Sequence, residues 1–148
     1  MQQICLAGNN GGNMYLSQSE TARELLKQIF PQEEEVQESS MPIYVNYSVP
    51  FYEFDSPRVV IYDSATVAPR YFLGDDEVIR TQGFNIVVAD KDSKVAYDRL
   101  NTIAVYLKSK KQIDDIIQIR ITDDIEPMGI NSKKYYLYSC NFVMHRTK

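Results

Sequence analysis

The sequence of 148 residues contains no Trp, one His and two Cys, and it has neither a long apolar run nor an excess of positive charge. Cys5 and Cys140 lie near opposite ends of the chain and form no CxxC pair. This argues against a disulfide framework or a zinc site and favours a reducing, cytoplasmic setting. No stretch approaches the about 18 apolar residues that a membrane-spanning helix needs, and the N-terminus lacks a signal-peptide pattern. We therefore expect neither secretion nor membrane insertion.

The charge and composition narrow the class of protein further. A formal net charge of -4 and a pI of about 5.0 argue against the basic surface that tight DNA binding requires. The hydrophobic fraction of 44% and the charged fraction of 24% are typical of a soluble globular chain. Eleven Tyr residues favour half-buried sheets and wet protein interfaces, because Tyr joins an apolar ring to a polar tip.

The glycine- and asparagine-rich stretch GNNGGN favours turns over regular structure, so we expect residues 1–16 to form a flexible N-terminal arm and residues 17–148 a single domain. Ser17 and Glu20 have capping-box spacing, which predicts a helix that runs to about Phe30. Its expected buried face consists of Ala22, Leu25, Leu26 and Ile29.

Two strands are predicted next. Alternation in PIYVNY, after Met41, indicates a half-buried strand, and RVVIYD, residues 58–63, reads as a compact β-branched strand. Between them, Pro50 and Pro57 bracket VPFYEFDSP and should restrict it to an edge or a bend.

The segment SATVAPRYFLGDDEVIRTQ, residues 64–82, is named the excursion here. We interpret it as a long loop or an extended hairpin with its turn near Gly74. Long excursions from small domains tend to be functional. Four residues of interface-enriched types make it the first candidate subunit interface: Arg70, Tyr71, Phe72 and Leu73.

The stretch FNIVVADKDSKVAYDRLNTIAVYL predicts a central strand followed by a helix. Asp90 and Asp92 are placed to cap a helix that begins near Ser93. Its predicted buried stripe is Ala96, Leu100, Ile103, Ala104 and Leu107.

Two further strands close the chain. IIQIRIT should place Ile117, Ile119 and Ile121 on one face, and an aromatic-rich strand should run from about Lys134 to His145, with DDIEPMGINS as the loop between them. Tyr136 and Tyr138 of the last strand complete the interface hypothesis. The expected fold is α+β: a mainly antiparallel sheet of about four to six strands, two α-helices packed on one face, and the excursion.

No catalytic, metal or cofactor site is expected. A nucleophilic pair of His145 with Cys5 or Cys140 is disfavoured. Cys140 and His145 have opposite parity on one strand, and we interpret them as a buried thiol and a frayed terminal imidazole. The pairs Asp75–Asp76, Asp114–Asp115 and Asp123–Asp124 lie next to turns and do not match calcium-loop spacing. GNNGG lacks the Lys and Ser/Thr of a phosphate-binding loop. The acidic balance argues against the Tyr-rich strand as a platform for single-stranded nucleic acid.

With catalysis disfavoured, two sequence segments, here called the first and second phrase, are the most informative about function: SPRVVIYDSATVAP and DKDSKVAYDRLNTIAVYL. Together with the closing strands, this pattern resembles the tail terminator, tail-completion and minor capsid proteins of tailed bacteriophages over most of residues 40–146. The family often has glycines where this chain has Ser64 and Ala65. The matching positions are Pro57, Val59, Val60, Tyr62, Asp63 and Pro69 in the first phrase, and Ala96, Tyr97, Asp98 and Leu100 in the second.

The resemblance implies a structural virion protein, assembled in the host cytoplasm, that forms a ring, typically a hexamer, where the tail meets the head or portal. Its partners would be further copies of itself and other connector, portal or tail proteins, and DNA would pass through the ring without specific binding. A head-completion connector role stays open, as does an intracellular adaptor or chaperone-like module that binds a partner through the Tyr-rich strand. A small enzyme is the third alternative.

Overall fold

The computed structural model describes residues 16–30, 41–73 and 77–147. Over residues 65–73 and 77–79 the description concerns the backbone alone. The elements in chain order are α1 (Gln18–Leu26), β1 (Ile43–Val45), a short 3-10 helix (Phe51–Glu53), β2 (Arg58–Leu73), β3 (Glu77–Asp90), α2 (Ser93–Lys108), β4 (Ile116–Ile121), β5 (Glu126–Ile130) and β6 (Tyr136–Thr147). The predicted arm lies outside the described residues, except for Leu16.

The strands form one sheet in the order β1-β2-β3-β6-β4, and β5 also pairs with β6. The β1–β2 pair is parallel, and the other pairs are antiparallel. The strand predicted to be central, β3, lies in the middle of this order. The α+β prediction, with a mainly antiparallel sheet and two helices, is therefore confirmed.

The helices begin where the sequence places their caps. Ser17 and Glu20 form the reciprocal capping box, in which the Glu20 amide donates to Ser17 Oγ at 3.2 Å and the Ser17 amide donates to Glu20 Oε1 at 3.0 Å. The Asp92 carboxylate accepts from the amides of Lys94 and Val95. However, α1 ends at Leu26 and not near Phe30, because the chain continues as a turn.

Both helices pack on the same face of the sheet, as predicted. The stripe of α2 is buried as expected, and Leu100 and Leu107 are fully buried there with Phe84 and Phe142 of the sheet. Those two phenylalanine rings stack at a centroid distance of 5.1 Å. This cluster is the main core of the domain.

The opposite face of the sheet is covered at one end by the passage between the prolines. This passage bends through the 3-10 helix, so that Phe54 packs with Val60, Val87, Ala89 and Leu137 in a second, smaller cluster. The two alternatives for VPFYEFDSP are thus resolved in favour of a bend. Asn131 holds the bend, because its Nδ2 donates to the carbonyls of Phe51 and Phe54 at 3.1 and 2.9 Å.

One sequence-based prediction at the C-terminal end is wrong, and a second is wrong at one residue. DDIEPMGINS is not only a loop, because β5 forms within it and pairs with β6. In β4, Ile119 and Ile121 face the main core as predicted, but the third inward residue is Ile116 and not Ile117. A register shift between Ile116 and Gln118 inserts an extra residue, which reverses the alternation at that point.

Candidate assembly surfaces

The excursion is an extended hairpin. Its two sides belong to β2 and β3, which pair from Arg58↔Ala89 to Leu73↔Glu77 with register shifts between Asp63 and Thr66 and between Val67 and Tyr71. Gly74, the predicted turn residue, lies outside the described residues. Such shifts bend and twist a hairpin and are common where a sheet edge has a function.

One long edge of this hairpin is unpaired within the described residues. β1 pairs only with the stretch from Val59 to Ile61 of β2. Asn46, whose φ is 49°, ends that pairing: its side-chain oxygen accepts from the Asp63 amide, and its Nδ2 donates to the Asp63 carboxylate, both at 2.9 Å. Gln18 Nε2 donates to the Ser64 carbonyl at 3.4 Å. From residue 65 onwards, no described strand pairs with the outer edge of β2.

The interface residues predicted on the excursion lie at its far end. The backbone register pairs Tyr71 with Ile79, Phe72 with Val78 and Leu73 with Glu77, and it places Arg70 just before them inside the second register shift. The structure therefore brings these four positions together on one strand segment, beyond the part of the sheet on which the helices pack.

The two tyrosines predicted as interface residues lie elsewhere. Tyr138 pairs with Val88, about 30 Å along β3 from Ile79. Its hydroxyl is 2.6 Å from Ser93 Oγ, and its ring contacts Tyr97 edge-on at 5.7 Å, so this side chain helps to dock α2. Tyr136 is 36% exposed. The six predicted residues thus lie in two separate regions of the sheet, and Tyr138 is occupied in packing α2.

A feature that the sequence did not reveal is an aromatic cleft of about 370 Å³ beside the bend. It is lined by Tyr47, Ser48, Val49, Pro50, Phe51, Tyr52 and Tyr62. Burial, and then the neighbouring Tyr47, raises the pKa of Tyr62, although Arg58 opposes this. The many aromatics around Pro50 were the available signal, but only the fold shows that Tyr62 joins them.

Arg58 is the buried cation beneath this cleft. Its guanidinium lies 4.9 Å from the ring centre of Phe54 and 5.3 Å from that of Tyr47, and its NH1 donates to the Tyr47 hydroxyl at 2.9 Å. Asp55 supplies a carboxylate at 3.2 Å. Stacking and hydrogen bonding together hold the aromatic rings in place.

Cys140 and His145 point to opposite faces of the sheet, as their parity predicts. Cys140 is buried in the main core with Phe142 and Met144. Burial chiefly, together with the carboxylates of Asp123 and Asp124, raises the pKa of its thiol to about 11. A thiol that is protonated at neutral pH is a poor nucleophile, so this pair lacks the arrangement of a Cys–His site.

His145 is not a frayed terminal residue, contrary to the sequence-based interpretation. Its Nε2 accepts from Arg120 Nε at 3.2 Å, and its Nδ1 lies 3.2 Å from Thr81 Oγ1. With Nε2 as an acceptor, the neutral ring carries its proton on Nδ1 and donates it to Thr81. Burial, and then the Arg120 charge, lowers the pKa of His145 below its ordinary value of 6.5.

This lowered pKa predicts a pH-dependent stability. Below about pH 6.5 the unfolded chain takes up a proton at this position before the folded chain does, so the free energy of unfolding should fall as the pH drops through this window. His145→Gln should flatten the dependence between about pH 7.5 and about pH 5.5, as measured by urea unfolding. An unchanged slope in the variant would assign the dependence to the carboxylates.

The acidic pairs do not converge within the part of the chain that is described. Asp114 is exposed with φ 51°, whereas Asp115 binds Arg146 at 2.8 Å. Asp123 accepts from Asn141 at 3.2 Å. The pair Asp75–Asp76 lies outside the described residues. Among the residues that the structure describes, no group of three or more His, Cys, Asp or Glu side chains could hold a metal ion.

Neither of the two described helices is long and apolar enough to cross a membrane. No protein-family model matches the chain, and no curated protein is a significant match to its sequence.

Proposed function

We propose that this chain is a structural component of a tailed-bacteriophage virion that forms a ring, typically a hexamer, at the end of the tail or at the head–tail connector. The observation that carries the proposal is the excursion: two strands that extend the sheet beyond the core and expose one backbone edge. A strand edge of this kind is a template for pairing with another chain. In the proposed ring it reaches the adjacent subunit.

The mechanism is geometric. Closed cyclic symmetry leaves a central channel, and identical contacts between neighbours fix its diameter. The net charge of -4 supports passage of DNA through such a channel without specific binding, because like charges keep the phosphates from adhering. The ring would end tail growth or join the tail to the head, and it would need no cofactor.

The aromatic cleft supports a second candidate, an intracellular adaptor that binds a partner chain. Clefts lined by Tyr, Phe and Pro take up extended peptides in several binding modules. Tyr52 at its rim is 65% exposed and available for such a contact. On this alternative, Tyr52→Ala would abolish binding of one non-virion partner and leave self-assembly unchanged.

The ring proposal predicts a discrete oligomer that depends on the end of the excursion. Replacing Tyr71 or Phe72 with Ala should shift the protein from oligomer to monomer with little change in thermal unfolding, since these positions lie beyond the helix-covered part of the sheet. Native mass spectrometry and light scattering would measure the stoichiometry. Val105→Ala is the matched control, because Val105 is 58% exposed on α2.

A chain that stays strictly monomeric at high concentration, and is absent from purified particles, would contradict the ring. Co-purification of the wild-type chain with a single non-virion partner would favour the adaptor instead. A Tyr71→Ala variant that unfolds as readily as a core variant would make the excursion part of the core.

A further inference from the structure

The sheet has two outer edges, one formed by β2 and the other by β4. Over part of each edge, backbone amides and carbonyls have no partner strand among the described residues, and these two parts lie at the same level along the strands. On one side this is β2 from residue 65 onwards. On the other side it is β4, where the Thr122 amide donates to the Asn141 carbonyl of β6. Because hydrogen bonds alternate along an antiparallel pair, Arg120 also bonds β6, and Ile119 and Ile121 direct their amides and carbonyls outward.

The register across the sheet aligns these two edges. Thr66 pairs with Gln82, Gln82 with Met144, and Met144 with Ile119. The next row runs in the same way from Val67 on β2 to Gln118 on β4 through β3 and β6. Since each of these pairings is antiparallel, β2 and β4 run in opposite directions. A second copy placed beside the first would therefore meet it as an antiparallel pair.

The charges at this height are complementary. Arg70 lies between Val67, which pairs with Thr81, and Tyr71, which pairs with Ile79. On the opposite edge, the row through Arg80 and Arg146 ends at Ile116, the first residue of β4, and the exposed Asp114 lies two positions before it in the turn. The backbone position of a cationic residue on one edge thus lies within about two residues of the level of an anionic residue on the other edge, which suits a repeating head-to-tail contact.

The remaining edges are protected against pairing. β5 carries Pro127, which has no amide donor, and a register shift at Gly129, whose φ is 95°. β1 is three residues long and is closed off by Asn46. Short strands, prolines and bulges are the devices that proteins use to prevent edge pairing. Over the aligned stretch of the described residues, β2 is free of register shifts and proline only at residues 66–67. β4 is open only from Gln118 onwards, because a register shift precedes Gln118 and the Gln112 amide already donates to the Ile117 carbonyl.

We propose that β2 of one copy pairs antiparallel with β4 of the next copy, with Thr66 opposite Ile119, Val67 opposite Gln118, and Arg70 beside Asp114. Ala65 falls within the first register shift and Pro69 within the second, so the new ladder runs mainly through residues 66–67 and 118–119. This is a heterologous contact, and it closes into a ring when repeated around an axis. The inference rests on the proposed ring and specifies its subunit contact.

A cysteine pair tests the register directly. In a Cys5→Ser background that keeps the buried Cys140, we would combine Val67→Cys with Gln118→Cys and oxidise the oligomer with copper phenanthroline. Opposed residues in an antiparallel pair have Cα atoms about 4.5–5.5 Å apart, within disulfide range. Within one chain, three strand spacings of about 4.8 Å separate the two positions, which is too far. We expect a ladder of covalent multimers on non-reducing gels.

The ladder should end at the copy number of the ring. The matched control combines Val67→Cys with Met128→Cys, because Met128 is 40% exposed on the protected β5 edge. This control should stay monomeric on the gel. A wild-type ring whose Val67–Gln118 variant still assembles but gives no ladder would overturn the β2–β4 contact while leaving the proposed function intact. A wild-type chain that forms no oligomer would overturn both.

A charge exchange provides an independent readout. Arg70→Asp and Asp114→Arg should each raise the dissociation constant of the oligomer about tenfold, because each places like charges at every contact. The double exchange should return it to within about threefold of the wild type. Asp124→Arg, at an exposed position away from the aligned rows, is the control. A double exchange that behaves as the sum of the single variants would overturn the pairing of these two positions.

Discussion

Leu100→Ala is expected to lower the free energy of unfolding by about 2–5 kcal/mol. Leu100 is fully buried at the centre of the α2 stripe, among the side chains of the main core. Truncation removes apolar area from contact and leaves a cavity, because helix and sheet cannot both move inward. Because α2 contacts β3, β6 and β4, the cavity should weaken the packing of the helix on all three strands.

Urea unfolding of the Leu100→Ala variant measures this effect through its midpoint and slope. Asn101→Ala is the matched control, because Asn101 is exposed on the next position of the same helix. It should change the stability by less than about 0.5 kcal/mol. A Leu100→Ala variant as stable as this control would mean that α2 does not pack on the sheet. Equal effects of Leu100→Ala and Tyr71→Ala would contradict the distinction between core and excursion.

The parts of the fold that were predictable are those with strong local patterns. The α2 stripe and the Asp92 cap follow from helical spacing within one segment, and β3 follows from a run that is apolar on both faces. The Ser17–Glu20 box similarly determines where α1 begins. In each case the sequence pattern lies within the element that it predicts. The prediction therefore did not require knowledge of tertiary contacts.

The parts that were mispredicted depend on distant residues. β5 is exposed along its length and contains Pro127 and Gly129, which locally favour a loop, and it becomes a strand through pairing with β6. The end of α1 and the bulge in β4 are likewise set by neighbours in space. His145 looked like a terminal residue because the Thr81 and Arg120 contacts are invisible in a linear reading.

The residues of the candidate subunit interface could be predicted from the sequence, but their positions relative to one another could not. The excess length and aromatic content of the excursion identified residues 70–73 as interface candidates. That Tyr138 lies far from them and packs on α2 required the β3–β6 register. That Arg70 lies within about two residues of the level of Asp114 required four strands to be placed side by side, since 44 positions separate them in the sequence.

The second large effect is expected at the Arg146–Asp115 pair. Arg146 has a side chain that is only 4% exposed, and its Nε and NH2 atoms both contact Asp115 Oδ2, at 2.9 and 2.8 Å. Its NH1 donates to the Leu16 carbonyl and to Gln82 Oε1. Arg146 thus joins the start of α1, the middle of β3 and the turn before β4 to the end of β6.

Asp115→Ala should lower the free energy of unfolding by about 3 kcal/mol, because it removes a carboxylate from a guanidinium that remains buried. Arg146→Met should cost less, about 1–2 kcal/mol, since the stem stays packed and the 33% exposed Asp115 can be hydrated. The double variant should cost less than the sum of the two. Urea unfolding at low and high salt would measure all three, with Asp98→Ala, in the exposed Lys94–Asp98 pair, as the control that costs under about 1 kcal/mol.

This pair also connects the fold to the proposed contact. The Asp115 carbonyl accepts from the Thr147 amide at 2.9 Å, so backbone and side chain together fix the turn that carries Asp114. If that turn positions Asp114 for the next subunit, Asp115→Ala should weaken the oligomer beyond the effect of Asp98→Ala, even under conditions in which both variants are fully folded. Equal oligomer dissociation constants for the two variants would show that the turn does not contribute to assembly, and would confine Arg146 and Asp115 to stabilising the domain.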